Sequence, residues 1–149
     1  MVAVVALAAA GWLVYTQVWG KGGTHPLAWT DVTAKVRGLQ LIHREVVVIH
    51  SRRTFVKVVR EAMPGRAPAP PPLDWKRQEV VMIAVGPRSG TGYSVEVQRV
   101  VEHRRSIDVY ARERTPSLGD PVTAQVTYPY RVIAIRHSHK PVYVKLQGR

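Results

Sequence analysis

The 149-residue sequence contains no cysteine. A disulfide framework and a thiolate site are both excluded, whichever compartment the protein occupies. Acidic residues are also scarce, with only ten aspartates and glutamates, so paired carboxylates for acid–base catalysis have few sources. Glu96 and Glu113 could face each other across a hairpin, but the surplus of arginine favours arginine partners for both. No Gly-x-Ser-x-Gly motif occurs either. These absences predict a protein that is not an enzyme and needs no cofactor.

Basic residues dominate the charge, which is formally +12. One interpretation is a clustered basic face that binds nucleic acid or another anionic surface. Tyr110 beside Arg112 and Tyr143 beside Lys145 resemble the aromatic–basic strands of sheet-based nucleic-acid readers. The favoured interpretation is a diffuse surface, because most of the basic residues are scattered arginines without long runs.

The N-terminal residues 2–19 carry no charge. This length is near the minimum that crosses a bilayer, and Trp12, Tyr15 and Trp19 would suit its headgroup region. We therefore predict a transmembrane anchor or uncleaved signal over residues 1–19, with the folded domain outside the cytoplasm at the cell membrane. The alternatives are a cleaved signal peptide, which would make the protein secreted, and a buried helix of a soluble domain. Residues 20–38 show no sustained period and predict a linker.

From residue 39 onward the pattern predicts a single β-rich domain. Phe55, Val58, Val59, Ala62 and Met63 form one helical stripe after a first strand, with Ser51 as its N-cap. The remaining segments alternate with a period of two or form short apolar runs. The predicted strands are Leu41–His50, Val80–Val85, Tyr93–Val97, Ile107–Ala111, Tyr130–Arg136 and Val142–Leu146. Together they indicate an α+β fold with a mainly antiparallel sheet or sandwich of about six strands and one helix after the first strand.

The loop Gly86–Ser94 (GPRSGTGYS) is the most distinctive local feature. A phosphate-binding loop is excluded because a strand, not a helix, follows it. Gly90 and Gly92 permit a sharp turn or a close backbone approach. The loop is either a simple hairpin turn or a protruding recognition loop that presents arginine and tyrosine to a protein partner.

His137 and His139 are two residues apart, so on a strand they would share a face and could ligate a metal ion. No third ligand of evident spacing is visible, and the neighbouring Arg136 and Lys140 would repel a cation. The favoured interpretation is an exposed turn, and no metal site is predicted.

The segments LDWKRQEVVMIAVGPRSGTGYSVEV and PVTAQVTYPYRVIAIRHSHKPVYV resemble the C-terminal domain of PrcB-type protease-complex subunits. One departure is Thr91, which stands where the family tends to place a glycine. The matching residues are Asp74, Trp75, Gly86, Gly92, Tyr93, Ser94, Val95, Glu96, Thr123, Gln125, Pro129 and Tyr130. The loop Gly86–Ser94 and this resemblance together predict a partner-binding surface. Its residues are Arg88, Ser89, Gly90, Thr91, Gly92, Tyr93, Thr123, Gln125 and Tyr130.

The resemblance implies a PrcB C-terminal-like domain over residues 39–149 that associates with and stabilises a partner protein, with a secreted protease as one candidate. An alternative function comes from the SGTGY loop, which is similar to a loop of chagasin-like cysteine-protease inhibitors. In that case the residues from Gly90 to Tyr93 would plug a protease active site. The chain lacks the Arg-Pro-Trp of those inhibitors, so inhibition is the second choice.

Overall fold

The computed structural model describes residues 23–63, 65 and 69–148. These residues form eight strands, one α-helix and one short 3-10 turn. In chain order the elements are β1 (His25–Pro26), β2 (Trp29–Asp31), the 3-10 turn (Thr33–Lys35), β3 (Arg44–Ile49), α1 (Arg52–Ala62), β4 (Gln78–Val85), β5 (Ser94–Glu102), β6 (Ile107–Arg114), β7 (Tyr130–Arg136) and β8 (Val142–Gln147).

The strands form two four-stranded sheets. The first has the order β1-β5-β6-β8, and the second has the order β2-β7-β4-β3. All pairs are antiparallel except β6 and β8, which run parallel. The β-rich, mainly antiparallel architecture with one helix is therefore confirmed.

The second sheet is the middle layer of three. Its Val81, Ile83 and Ile133 face the first sheet in one hydrophobic core, while Val80 and Met82 face α1 in another. Side chains on successive positions of a strand point to opposite faces, so a strand covered on both sides must be apolar throughout. The continuous apolar run of β4 has this cause, as its sequence predicts.

Helix α1 packs one stripe of side chains onto the second sheet. Phe55, Val59 and Ala62 are buried, as the helical spacing predicts. The Ser51 hydroxyl accepts a hydrogen bond from the Thr54 amide at 3.1 Å, which confirms the predicted N-cap and satisfies one of the free amides of the first turn.

The structure corrects two predictions, the position of the helix in the chain and the number of strands. The helix follows β3, the third strand and not the first, and eight strands are present instead of about six. The predicted linker is wrong for much of residues 23–38, because β1 and β2 extend the two sheets and Val32 and Val36 are buried in the helix-side core. Two- and three-residue strands are too short to display a period.

The connection from β4 to β5 crosses between the sheets. Strand β4 pairs with β3 and β7, whereas β5 pairs with β1 and β6. The interpretation of Gly86–Ser94 as a simple hairpin turn is therefore wrong. The predicted hairpin of β5 and β6 is confirmed, with the His103 amide donating to the Ser106 carbonyl across its turn.

The predicted anchor, residues 1–19, lies outside the described residues. Within the part of the chain that is described, no helix has the length and apolar character needed to cross a membrane.

Candidate functional site

Two connections meet at one end of the molecule and form what we call the paired loops, residues 86–93 and 122–129. Arg88 and Thr127 exchange two backbone hydrogen bonds of 2.8 and 2.9 Å. The Thr91 amide donates to the Thr123 carbonyl at 3.0 Å, and the Thr123 amide donates to the Thr91 hydroxyl at 2.9 Å. These bonds couple the two loops into one surface, and Thr91 contributes a bond that a glycine there could not make.

The two glycines of the first loop serve different geometric needs. Gly92 has a φ of +88°, a conformation that other residues rarely adopt. Gly90 has no such φ, but a side chain there would stand 2.8 Å from the Val122 methyl, so the residue is needed for close approach. Gly90 is consequently buried beneath the second loop and does not form an exposed tip.

Arg88 points inward, onto the sheet. Its guanidinium donates to both carboxylate oxygens of Glu113 on β6, at 2.6 and 2.9 Å. Glu113 is buried, and its hydrogen bond raises the pKa of Arg88. The predicted partner-binding arginine therefore anchors the loop internally. Glu113 does not face Glu96, which forms an ion pair with Arg114 at 3.6 Å, so the arginine partners expected for these carboxylates are confirmed.

Tyr130 is also turned toward the interior. Its hydroxyl donates to the Val36 carbonyl at 2.6 Å, and its ring packs against the helix-side core. Burial raises the pKa of Tyr130, and the nearby Leu39 and Gly38 backbone groups oppose this rise. The residue therefore supports the fold.

The exposed polar side chains of the paired loops are Ser89, Thr123 and Gln125. Tyr93 is half-buried at a shallow hollow also lined by Arg44 and Ser89. The connection from β6 to β7 has three exposed apolar side chains, whose exposure the sequence does not predict because the segment has no regular period from which to assign a face. They are Leu118, Val122 and Val126.

Residues 80–136 match the PrcB C-terminal family. The chain is similar to that family over this segment. The matched segment runs from β4 to the end of β7 and contains both of the paired loops. The predicted resemblance is thus confirmed. No curated protein and no solved structure matches the chain significantly.

Of the aromatic–basic positions of the first sheet, Tyr110 and Arg112 lie within the matched segment, and Tyr143 and Lys145 lie beyond it. The Arg99 guanidinium sits 4.1 Å from the Tyr110 ring centroid, and the Lys145 ammonium sits 5.3 Å from it. Both cations thus form cation–π contacts with the Tyr110 ring. A nucleic-acid base would have to displace them to stack on Tyr110, which weakens the nucleic-acid interpretation of this sheet.

A group of three residues that could hold a metal ion was also missed. His50, Glu79 and His137 bring one ligand atom each to within 4.8 Å of one another. His139, which from its spacing in the sequence could be a second metal ligand beside His137, has its ring centroid 5.6 Å from that of His137. These three residues come together through the register of their strands, and a single sequence does not determine that register.

Proposed function

We propose that this protein is a non-catalytic subunit that associates with and stabilises a partner protein, with a secreted protease as the candidate partner that its family suggests. The observation that supports this most is the surface formed by the paired loops. It combines internal hydrogen bonds with the exposed side chains of Val122 and Val126. Exposed apolar side chains favour burial against another protein.

The hydrogen bonds between the paired loops also favour the binding of a partner protein. A loop that is already ordered loses little conformational entropy when a partner docks. The paired loops also expose the polar side chains of Ser89, Thr123 and Gln125, which gives the mixed composition of a recognition surface. Tyr93 at its hollow completes the surface that we assign to the partner.

The proposal places the domain outside the cytoplasm, held at the cell membrane by residues 1–19. The uncharged N-terminal stretch and its aromatic residues support this placement. If the segment is cleaved, the same domain acts as a secreted protein. Fractionation of cells, with the N-terminal sequence of the mature protein determined, separates the two cases.

The experiment that tests the partner surface is capture from native envelopes by the full chain. We expect the double variant Val122→Ser/Val126→Ser to recover at least about tenfold less partner than the unmodified chain, because apolar contacts at a binding site are lost. Both side chains are exposed, 48% and 64%, so the thermal unfolding midpoint should remain nearly unchanged.

A matched control is the double variant Val46→Ser/Tyr143→Ser. These side chains are 45% and 56% exposed but lie on β3 and β8, away from the paired loops. Capture by this variant should equal that of the unmodified chain. Equal loss in both variants, or no loss in the loop variant, would show that the partner binds elsewhere.

Protease inhibition is the alternative at this same surface. The burial of Gly90 beneath the second loop gives the first loop no free tip for insertion into a cleft, which favours docking over plugging. Loss of activity of a papain-like or subtilisin-like protease on addition of the full chain would reverse this preference.

A second candidate function rests on the outer side of α1, where Arg52, Arg53, Lys57 and Arg60 are exposed beside a single glutamate. The structure thus concentrates part of the basic charge that the sequence shows as scattered. Such a face attracts nucleic acid or an anionic membrane surface. Binding to either that weakens steeply with salt would support this function.

A further inference from the structure

Three residues converge at one end of the second sheet. Ile49 pairs with Val80 between β3 and β4, so the next step of the same register sets His50 opposite Glu79. Glu79 also pairs with Ile135 of β7, and His137 is two residues further on. Residues two apart on a strand share a face. The register therefore directs one carboxylate and two imidazoles to the same place from three adjacent strands.

The carboxylate at the centre is incompletely satisfied. Glu79 is fully buried, and its Oε2 lies 2.7 Å from His50 Nδ1 and 3.6 Å from His137 Nδ1. Among the described residues, nothing donates a hydrogen bond to its Oε1, and the buried His137 Nδ1 has no hydrogen-bond partner. Buried polar atoms without partners are costly, and few persist in native proteins. The unpartnered atoms point to a ligand that is positively charged and binds both oxygen and nitrogen.

We propose that His50, Glu79 and His137 bind one divalent transition-metal ion, for which Zn²⁺ is the best match. Imidazole nitrogen and carboxylate oxygen are common zinc ligands, with bonds of about 2.0–2.2 Å in a tetrahedral arrangement. The ligand atoms already lie within 4.8 Å of one another. Small rotations of the two imidazoles bring them to the roughly 3.3 Å spacing that such bonds require.

The surroundings leave the fourth coordination position open. The His50 side chain is 56% exposed, and the hollow in front of the site is lined by Ser138, His139 and Lys140. Water or a donor such as the nearby His139 can therefore complete the coordination. The site joins the ends of β3, β4 and β7 and lies outside the paired loops.

The positive charges beside the site are already compensated. Glu102 on β5 binds the Lys140 ammonium at 2.7 Å and the Arg136 guanidinium at 2.8 Å. Arg136 and Lys140, which the sequence predicts to repel a metal ion, thus share the Glu102 carboxylate. Their remaining repulsion is smaller than that of two free cations, and Glu79 supplies its charge directly to the metal.

Zinc titration of the full chain tests the proposal. The protein is stripped with a chelator, dialysed, and titrated with Zn²⁺ in a calorimeter. We expect one zinc ion per chain and a higher thermal unfolding midpoint with zinc, because an ion that binds only the folded state stabilises it. Co²⁺ in place of Zn²⁺ should give the visible absorption of a tetrahedral nitrogen–oxygen site.

The variants His50→Ala and His137→Ala should each weaken zinc binding at least tenfold and abolish the shift in the unfolding midpoint. The control His43→Ala removes an exposed histidine away from the site and should leave zinc binding unchanged. Glu79→Gln keeps the shape of the buried side chain and should also lose the metal. If it fails to fold, the two histidine variants decide the matter.

The proposal is overturned if the full chain binds no zinc at micromolar concentration, or if His43→Ala loses as much zinc as His137→Ala. In the first case His50 is only a hydrogen-bond partner of Glu79. In the second case the metal is held by scattered surface histidines.

Discussion

The ion pair of Arg88 and Glu113 shows how one residue fixes a loop. Glu113 is buried, and Arg88 supplies both hydrogen bonds to its carboxylate. Removal of one partner of such a pair leaves a buried charge uncompensated, which costs more than the pair itself contributes. We expect Arg88→Ala to lower the free energy of unfolding by about 3 kcal/mol in a urea titration.

A matched control for this prediction is Arg112→Ala. Arg112 is exposed on the same strand as Glu113, and its removal should change the free energy of unfolding by no more than about 0.5 kcal/mol. The double variant Arg88→Met/Glu113→Leu should regain most of the stability lost in Arg88→Ala, because no buried charge remains. If the double variant is as unstable as the single one, the loss comes from packing and not from the charge.

Residue types in the sequence indicated a surface but not which side chains face outward. Arg88 and Tyr130 are residues typical of binding sites, yet each has an internal partner, Glu113 and the Val36 carbonyl. Those partners are 25 and 94 residues away in the chain. Contacts over such separations depend on the register and packing of strands, which a local pattern does not contain.

At the scale of elements, the buried side chains along one side of α1 attach the helix to the second sheet. Phe55 is fully buried between the second sheet and Trp75, whose ring centroid is 5.6 Å away. Truncation of a buried phenylalanine removes apolar contact and leaves a cavity. We expect Phe55→Ala to lower the free energy of unfolding by about 3–5 kcal/mol. Lys57→Ala, at an exposed position of the same helix, should have little effect in the same titration.

Phe55→Ala with near-normal stability would contradict this account of the helix. It would mean that α1 is not needed to cover the second sheet. A useful second measurement is hydrogen exchange of the β3 and β4 amides, which should become faster in Phe55→Ala because the helix no longer shields that face.

The elements that sequence predicted correctly are those long enough to display a period. The stripe of α1, the apolar run of β4 and the alternation of β5 and β6 each extend over several residues. Strands β1 and β2 are only two and three residues long and depend on partners elsewhere in the chain. The pairing of β6 with β8 in parallel was equally hidden, because two strand patterns do not state their relative direction.

At the scale of the whole molecule, carboxylates are scarce, so a single carboxylate can bind more than one cation. Glu102 compensates both Lys140 and Arg136, so it links β5 of the first sheet to β7 of the second. Its hydrogen bond with Lys140 and the charges of both cations lower the pKa of Glu102, although burial opposes this. Asp31 on β2 similarly binds Arg131 on β7. With a formal charge of +12, loss of these anions also increases the net repulsion within the folded state.

The pKa of Glu102 is lower in the folded protein than in the unfolded chain, so the unfolded state binds its proton first as the pH falls. The stabilisation is complete above the ordinary glutamate pKa of about 4.3 and is lost as the pH falls from there through the lowered value. We therefore expect Glu102→Gln to be less stable than the unmodified chain near neutral pH, with the difference shrinking in acid. Urea titrations between about pH 7 and pH 3 measure it. Glu61→Gln, at an exposed helix position, should follow the unmodified chain throughout, and a Glu102→Gln difference that stays constant over this range would refute the link between the ion pair and acid stability.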